Sequence, residues 1–237
     1  GEDKIAPRTM SIGGRLGYDD DGETPNTQIV YHDYDKAPLI FETRGLPSAK
    51  KYQEENWGKN MNSPDEFPGE SGISVVVVCE EGLVYTNAGG SVKMKDNKGN
   101  DLEVPKAFES EDIFTNFISA VKSRKVEEQY ADCEETHISS ALCHTGLISH
   151  RLGTALNRGE AMERIKSDAT LTERFGSMAD HLEKNNVNLK KDGLLTGPML
   201  KFNPETEWAE GNGELDEAAN LLARREYREP FVVPEVL

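Results

Sequence analysis

The sequence predicts an α+β fold: one large, mostly antiparallel β-sheet with helices packed on one face and the other face open for oligomerisation. Two patterns and one physical constraint lead there. Residues 5–104 alternate apolar and polar positions in short runs broken by turn clusters, the signature of consecutive hairpins. Residues 112–225 instead repeat apolar positions at helical spacing behind acidic caps. Hairpins followed by helices fold as segregated layers, and a sheet so rich in Val, Ile and Phe needs cover on its second face.

Taken in order, residues 5–15, 27–34 and 37–44 read as strands, with Asp33-Tyr-Asp-Lys36 as the turn between the last two. Residues 47–72, polar and holding Trp57, read as a loop with a short helix. Residues 73–80 and 83–87 straddle Glu81-Gly82 as a second hairpin, and 91–95 and 102–104 straddle Asp96-Asn-Lys-Gly-Asn100 as a third. Behind Ser110-Glu111-Asp112, a helix over 112–122 gathers Ile113, Phe114, Phe117, Ile118 and Val121 on one face. Asp132 caps a second helix that runs to about Leu152 and stops at Gly153, with apolar residues on both sides and so packed on both. Exposed amphipathic helices follow at 159–166 and 171–185, with a short one near 215–225. Glu229-Pro-Phe-Val-Val-Pro-Glu235 reads as an apolar strap over the body. The elements group as a sheet-and-helix domain over 1–153 and a helical extension with its strap over 154–237, packed on that same domain.

The chain has 237 residues and a formal net charge of −16. The length allows a substantial core. The charge argues against nucleic acid, whose phosphates are held by clustered Lys and Arg, and against an anionic membrane surface; it reads as a solvated acidic surface. No apolar run reaches the roughly 18 residues needed to cross a bilayer. Cys79, Cys133 and Cys143 are odd in number and widely spaced in apolar settings, and read as buried thiols rather than as a disulfide framework or a zinc site. The chain opens Gly1-Glu2-Asp3-Lys4 without an initiator Met, so any export signal would sit upstream, leaving cytoplasm and periplasm both open.

Gly13, Gly14 and Gly17 look at first like a phosphate-gripping loop. A dinucleotide fingerprint needs G-x-G-x-x-G between a strand and a helix. Here Ile12 stands where the first glycine should, and four carboxylates (Asp19, Asp20, Asp21, Glu23) follow, then Pro25 and Asn26 turning into another strand. No nucleotide site starts there. The same acidic loop lacks the oxygen spacing of a calcium loop. Arg15, Tyr18 and Arg44 stand at strand ends, where a side chain either reaches a ligand or pairs with the acidic loop.

Glu134-x-x-His137 has the i, i+3 spacing of carboxylate-bridged di-metal helices, but only one such motif is present. His137 and His144 lie two helical turns apart, roughly 10 Å, too far to share one ion without a bend. They read either as hydrogen-bonded histidines at the sheet–helix boundary or as lining of a polar substrate cleft. Cys143 cannot use His144 as its base, because adjacent helix residues diverge by about 100°. No complete catalytic set emerges from the residues.

Several stretches together resemble one family. Ser11-Ile-Gly-Gly-Arg-Leu-Gly-Tyr18 runs into Asp-Asp-Gly-Glu-Thr-Pro-Asn-Thr-Gln28. Further on come 112–124, His137-Ile-Ser-Ser-Ala-Leu-Cys-His144 with Ile148-Ser-His-Arg-Leu-Gly153, and Tyr227-Arg-Glu-Pro-Phe-Val-Val-Pro-Glu235. These resemble the C-terminal domain of the glucose–fructose oxidoreductase/inositol dehydrogenase (Gfo/Idh/MocA) family, nearest to the branch common in planctomycete-type and Bacteroidetes bacteria. The resemblance implies a two-domain NAD(P)-dependent oxidoreductase acting on sugars or polyols. Its Rossmann domain would hold the nicotinamide cofactor, while this half shapes the substrate pocket and the homo-oligomer interface.

The family's glycine-rich cofactor loop and its Glu-Lys-Pro segment with the catalytic lysine are not in this sequence. The expectation is therefore a substrate-binding and oligomerisation domain, not catalytic alone and holding no cofactor, whose parent uses NAD or NADP. No catalytic residue is carried over. Arg15, Tyr18, Asn26, Gln28, Arg44, His137 and His144 are the expected pocket or rim. Two other readings stay open: a fragment of an NAD-dependent glycosidase from the same family, and a non-enzymatic dimeric interaction module.

Overall fold

The computed structural model describes residues 3–70, 72–106, 111–191, 193–224 and 227–232. In chain order the elements are β1 (Arg8–Gly14), β2 (Thr27–His32), β3 (Leu39–Arg44), β4 (Ser74–Val78), β5 (Gly82–Asn87), β6 (Val92–Asp96), α1 (Ile113–Ser123), α2 (Cys133–Arg151), β7 (Thr154–Leu156), α3 (Arg158–Ile165), α4 (Ala169–Lys184), β8 (Leu194–Thr196), β9 (Leu200–Lys201) and α5 (Leu215–Ala223). The α+β class and the antiparallel pairing hold. Short 3₁₀ turns at Lys50–Tyr52 and Trp57–Lys59 fill the polar segment.

The strands form two sheets rather than one. Six strands pair in the order β3-β2-β1-β8-β7, with β9 beside β1 as well, and β4-β5-β6 form a separate meander. By packing, the chain divides into one unit of Gly1–Gly45 with Ala131–Leu237 and another of Leu46–Tyr130. The reason is pairing: among the described strands β4–β6 ladder only with one another, while Ile5, Ile148, Leu200, Phe202 and Ala219 collapse into one cluster across the first unit. The third hairpin is reduced to one bridge, Lys95 with Asp101, and one bond from the Leu102 amide to the Met94 carbonyl, on the edge of β6 opposite β5.

Helices cover both faces of the six-stranded sheet, which corrects the one-face expectation. Alternation along β2 sends Gln28, Val30 and His32 one way and Thr27, Ile29 and Tyr31 the other. On the first face α2 lies across β1 and touches β2 and β8. Its approach is so close that a Cβ on Gly146 would stand 2.7 Å from a Val30 methyl. On the opposite face the Tyr31 hydroxyl donates to Asp168 at 2.6 Å, and Asp168 caps α4 by accepting from the Leu171 amide. Leu171, Phe175, Met178 and Leu182 of α4 are buried, worth about 1.5–3 kcal/mol each. On the α2 side β3 keeps an uncovered apolar strip, Leu39 and Phe41.

One joint explains how α2 is locked. Between β8 and β9 the Gly197 amide still donates to the Ser11 carbonyl at 2.8 Å, then Pro198-Met199 leaves the ladder of β1, and proline has no amide to give. Ser149 fills the rung: its Oγ accepts from the Ser11 amide at 3.0 Å and donates to the Pro198 carbonyl at 2.8 Å. Only glycine fits at 197, because a Cβ there would stand 2.2 Å from the Ser149 Oγ. α2 is capped by Asp132, as its sequence predicts, and packs on two sides in its C-terminal half, against the sheet and against α5. Its N-terminal half is largely exposed, Cys133 and Cys143 included.

Other expectations fail through exposure. All three cysteines are exposed, because Cys79 follows β4 at a turn and the other two sit on the outer side of α2. α1 is capped by Asp112 as its sequence predicts, yet its apolar face is bare, with Phe114 81 % exposed. Its one buried residue is Asn116, which bonds the Glu128 carbonyl and the Tyr130 amide. Phe231 of the strap is 67 % exposed, so residues 229–232 do not pack over the body. Ser110, Arg225 and residues 233–235 of those expectations lie outside the described residues.

Candidate functional site

The sheet end where β1 runs out, β2 begins and β3 finishes carries five of the seven expected site residues. Asn26 builds its base. Its side chain accepts from the Leu16 amide at 3.1 Å and donates to the Leu16 carbonyl at 2.9 Å, while its own carbonyl takes the Gly45 amide at 2.7 Å. An asparagine side chain imitates a strand edge in this way and closes the twelve-residue loop 15–26.

Arg15 is the centre of that loop. Its guanidinium grips Asp20 with two arms, donates to the Thr24 carbonyl at 3.0 Å and lies 5.6 Å from the centre of the Tyr18 ring. It presses so close to the chain that a Cβ on Gly22 would stand 2.1 Å from the guanidinium carbon. The Arg15 hydrogen bond holds the Asp20 carboxyl below its ordinary range. Arg15 is thus bound to the acidic loop, and Tyr18 is 38 % exposed beside it.

Gln28 and Arg44 share this end but face opposite ways. Gln28 donates to the Ser11 hydroxyl at 2.7 Å on the α2 side. Arg44 bonds Glu42 and donates to the Ser177 hydroxyl of α4 at 2.9 Å on the other. The two expected histidines are elsewhere. His137 is exposed and its Nε2 meets Glu207 at 2.7 and 2.8 Å, in the loop after β9, at the opposite end of β1 roughly 20 Å away. His144 is exposed on α2. The structure therefore does not bring the histidines to Arg15.

Three other histidines are buried. Burial drives the His32 and His181 pKa values down to about 4, with the Arg44 and Lys184 charges also acting on His181, and burial then Arg151 lowers His150. His32 shares a hydrogen bond of 3.1 Å with the Thr9 hydroxyl, whereas neither ring nitrogen of His181 has a partner among the described residues. Sequence reading could have found His32, which alternates in phase with buried Val30. His181 sits one residue before Leu182 on the buried face of α4, a weaker signal.

Among the described residues no group of three or more His, Cys, Asp or Glu side chains is placed to hold a metal ion. The Gly13–Gly17 stretch does not suit a nicotinamide dinucleotide: it closes a strand-to-strand loop, so no helix N-terminus stands behind it, and its cation is taken by Asp20. No described helix is long and apolar enough to cross a membrane. The class of molecule these features define is an antiparallel α+β sheet domain with a polar, pre-braced loop at one end. Comparisons with protein-family models, with curated proteins and with solved structures return no match.

Proposed function

We propose that this chain is the substrate-orienting and self-associating half of an NAD(P)-dependent oxidoreductase for a sugar or polyol, of the Gfo/Idh/MocA type. One observation carries the reading: a braced polar loop at the sheet end sets a half-exposed aromatic ring beside a fixed guanidinium, and the same loop exposes Asp19, Asp21 and Glu23. A polyol presents several hydroxyls, each donor and acceptor, on an apolar carbon face, so it needs such a mixture held rigidly. The resembling segments also coincide with the β1–β2 pair and with α2, the elements that build and brace this end. Held by the partner domain, the nicotinamide cofactor would supply the hydride-accepting chemistry. This half contributes orientation and the partner domain holds the cofactor. A non-enzymatic interaction module is the second reading, favoured by the bare apolar face of α1.

The test compares this chain with a version extended upstream through a Rossmann domain. Myo-inositol and glucose are offered with NAD⁺ or NADP⁺, and NADH binding is titrated into both. The expected result is cofactor binding and turnover in the longer version only, with Tyr18→Ala raising KM at least about fivefold and leaving cofactor affinity unchanged. NADH binding by the chain alone, or absence of turnover in both, would overturn the proposal.

A further inference from the structure

The Leu46–Tyr130 unit holds a cavity of its own, about 420 Å³, along the free edge of β6. That volume lies in the range of small-molecule sites. We infer that it is a binding site for a small organic carboxylate with an apolar body, such as an aryl or branched alkyl acid. This inference is independent of the reading given to the sheet end.

The cavity exists because the chain begins a fourth strand and abandons it. The Leu102 amide donates to the Met94 carbonyl at 2.9 Å, and Lys95 bridges to Asp101. Beyond that the segment departs from β6. Val92, Leu102 and Val104 are left lining the gap at 38–44 % exposure. Three half-wet aliphatic side chains around one opening are surface that an apolar body would take out of water.

The charges divide unevenly around the opening. Lys93 is answered by Glu70 in an ion pair and feels Asp101 as well. Among the described residues Lys95 has no carboxylate in an ion pair with it. Its ammonium stands 4.8 Å over the Phe67 ring and makes a single long bond, 3.5 Å, to the Glu66 carbonyl. Phe67 is itself fixed, buried and set 5.0 Å from the fully buried Tyr85 ring. An ammonium pre-positioned on an aromatic face, with donors to spare and an apolar wall beside it, suits a carboxylate that brings its own hydrocarbon. The neutral amide of the same acid fills the wall but cannot pair with Lys95.

The test titrates 3-phenylpropionate and its amide into the intact chain, read by calorimetry and by the amide resonances of Lys95 and Leu102. The acid should bind saturably and at least about tenfold more tightly than the amide. Lys95→Met, which keeps the stem over Phe67, should erase that preference, and the uncharged Val104→Asn should weaken the acid and the amide alike. Equal binding of acid and amide, no saturable binding of the acid, or a preference that survives in K95M would overturn the inference. Should K95M fail to fold, the acid–amide comparison on the unaltered chain decides the matter.

Discussion

Mild acid should loosen the six-stranded unit before it protonates the carboxylates. His32 and His181 are 1 % and 3 % exposed and carry pKa values of about 4, against 6.5 when unfolded. The unfolded chain therefore takes up the protons first, so stability is full above about pH 7 and falls as pH drops from 6.5 toward 4. At pH 5.5 each histidine has cost about 1 kcal/mol, roughly 2 kcal/mol together. With a urea slope near 2 kcal/mol/M that moves the midpoint by about 1 M. Carboxyls held low by partners, Asp20, Asp96 and Asp112 among them, lose their contribution only below their ordinary range, under this window. The assay is urea unfolding at pH 7.0 and 5.5, followed by Trp208 fluorescence in a Trp57→Phe background so that only this unit reports. His181→Leu should remove about 1 kcal/mol of the drop, leaving the shares of His32 and of His150, which burial also lowers. It should also cost little at pH 7, since it removes two buried ring nitrogens that bond to nothing described. A midpoint equally acid-sensitive in H181L, or a loss above about 2 kcal/mol at pH 7, would refute the reasoning.

Two further predictions concern the docking of α2. Ser149→Ala strands the buried Ser11 amide and the Pro198 carbonyl, so it should cost about 2–3 kcal/mol by urea unfolding and speed hydrogen exchange at Ser11. Gly146→Ala drives a methyl against Val30 and should cost about 1–3 kcal/mol, with most of the loss recovered in the Gly146→Ala/Val30→Ala double variant. Additivity of the two changes in a double-mutant cycle would show that the close approach is not what makes glycine necessary.

Local chemistry was readable in the sequence, and partnership was not. Alternation and turn residues located β1, β2 and β3, and Asp112 and Asp132 announced the starts of α1 and α2, because each signal acts within a few residues. The same periodicity on α1 marked Phe114 and Phe117 as an apolar face but said nothing of what covers it. Helices on both faces of the sheet follow from Gly146 and Ser149 letting α2 close on one side and Tyr31 anchoring α4 on the other, contacts between residues far apart in sequence. At the candidate site, Arg15 and Asn26 were legible as loop-end residues and do sit together. His137 and His144 were misleading partners for them, because helix spacing fixes which residues share a stripe and not which end of a sheet that stripe reaches.

β1 is the first strand of the chain and the middle of its sheet, flanked by β2 on one side and by β8 and β9 on the other. The second set of neighbours arrives about 180 residues later. At a synthesis rate of roughly 5–20 residues per second, the edge bearing the Thr9, Ser11 and Gly13 backbone groups would wait on the order of 10–40 s on the ribosome without its strand partners. The nascent molecule is thus sticky for most of its birth, and its yield in a host should depend on chaperone supply and fall where the last third is translated slowly.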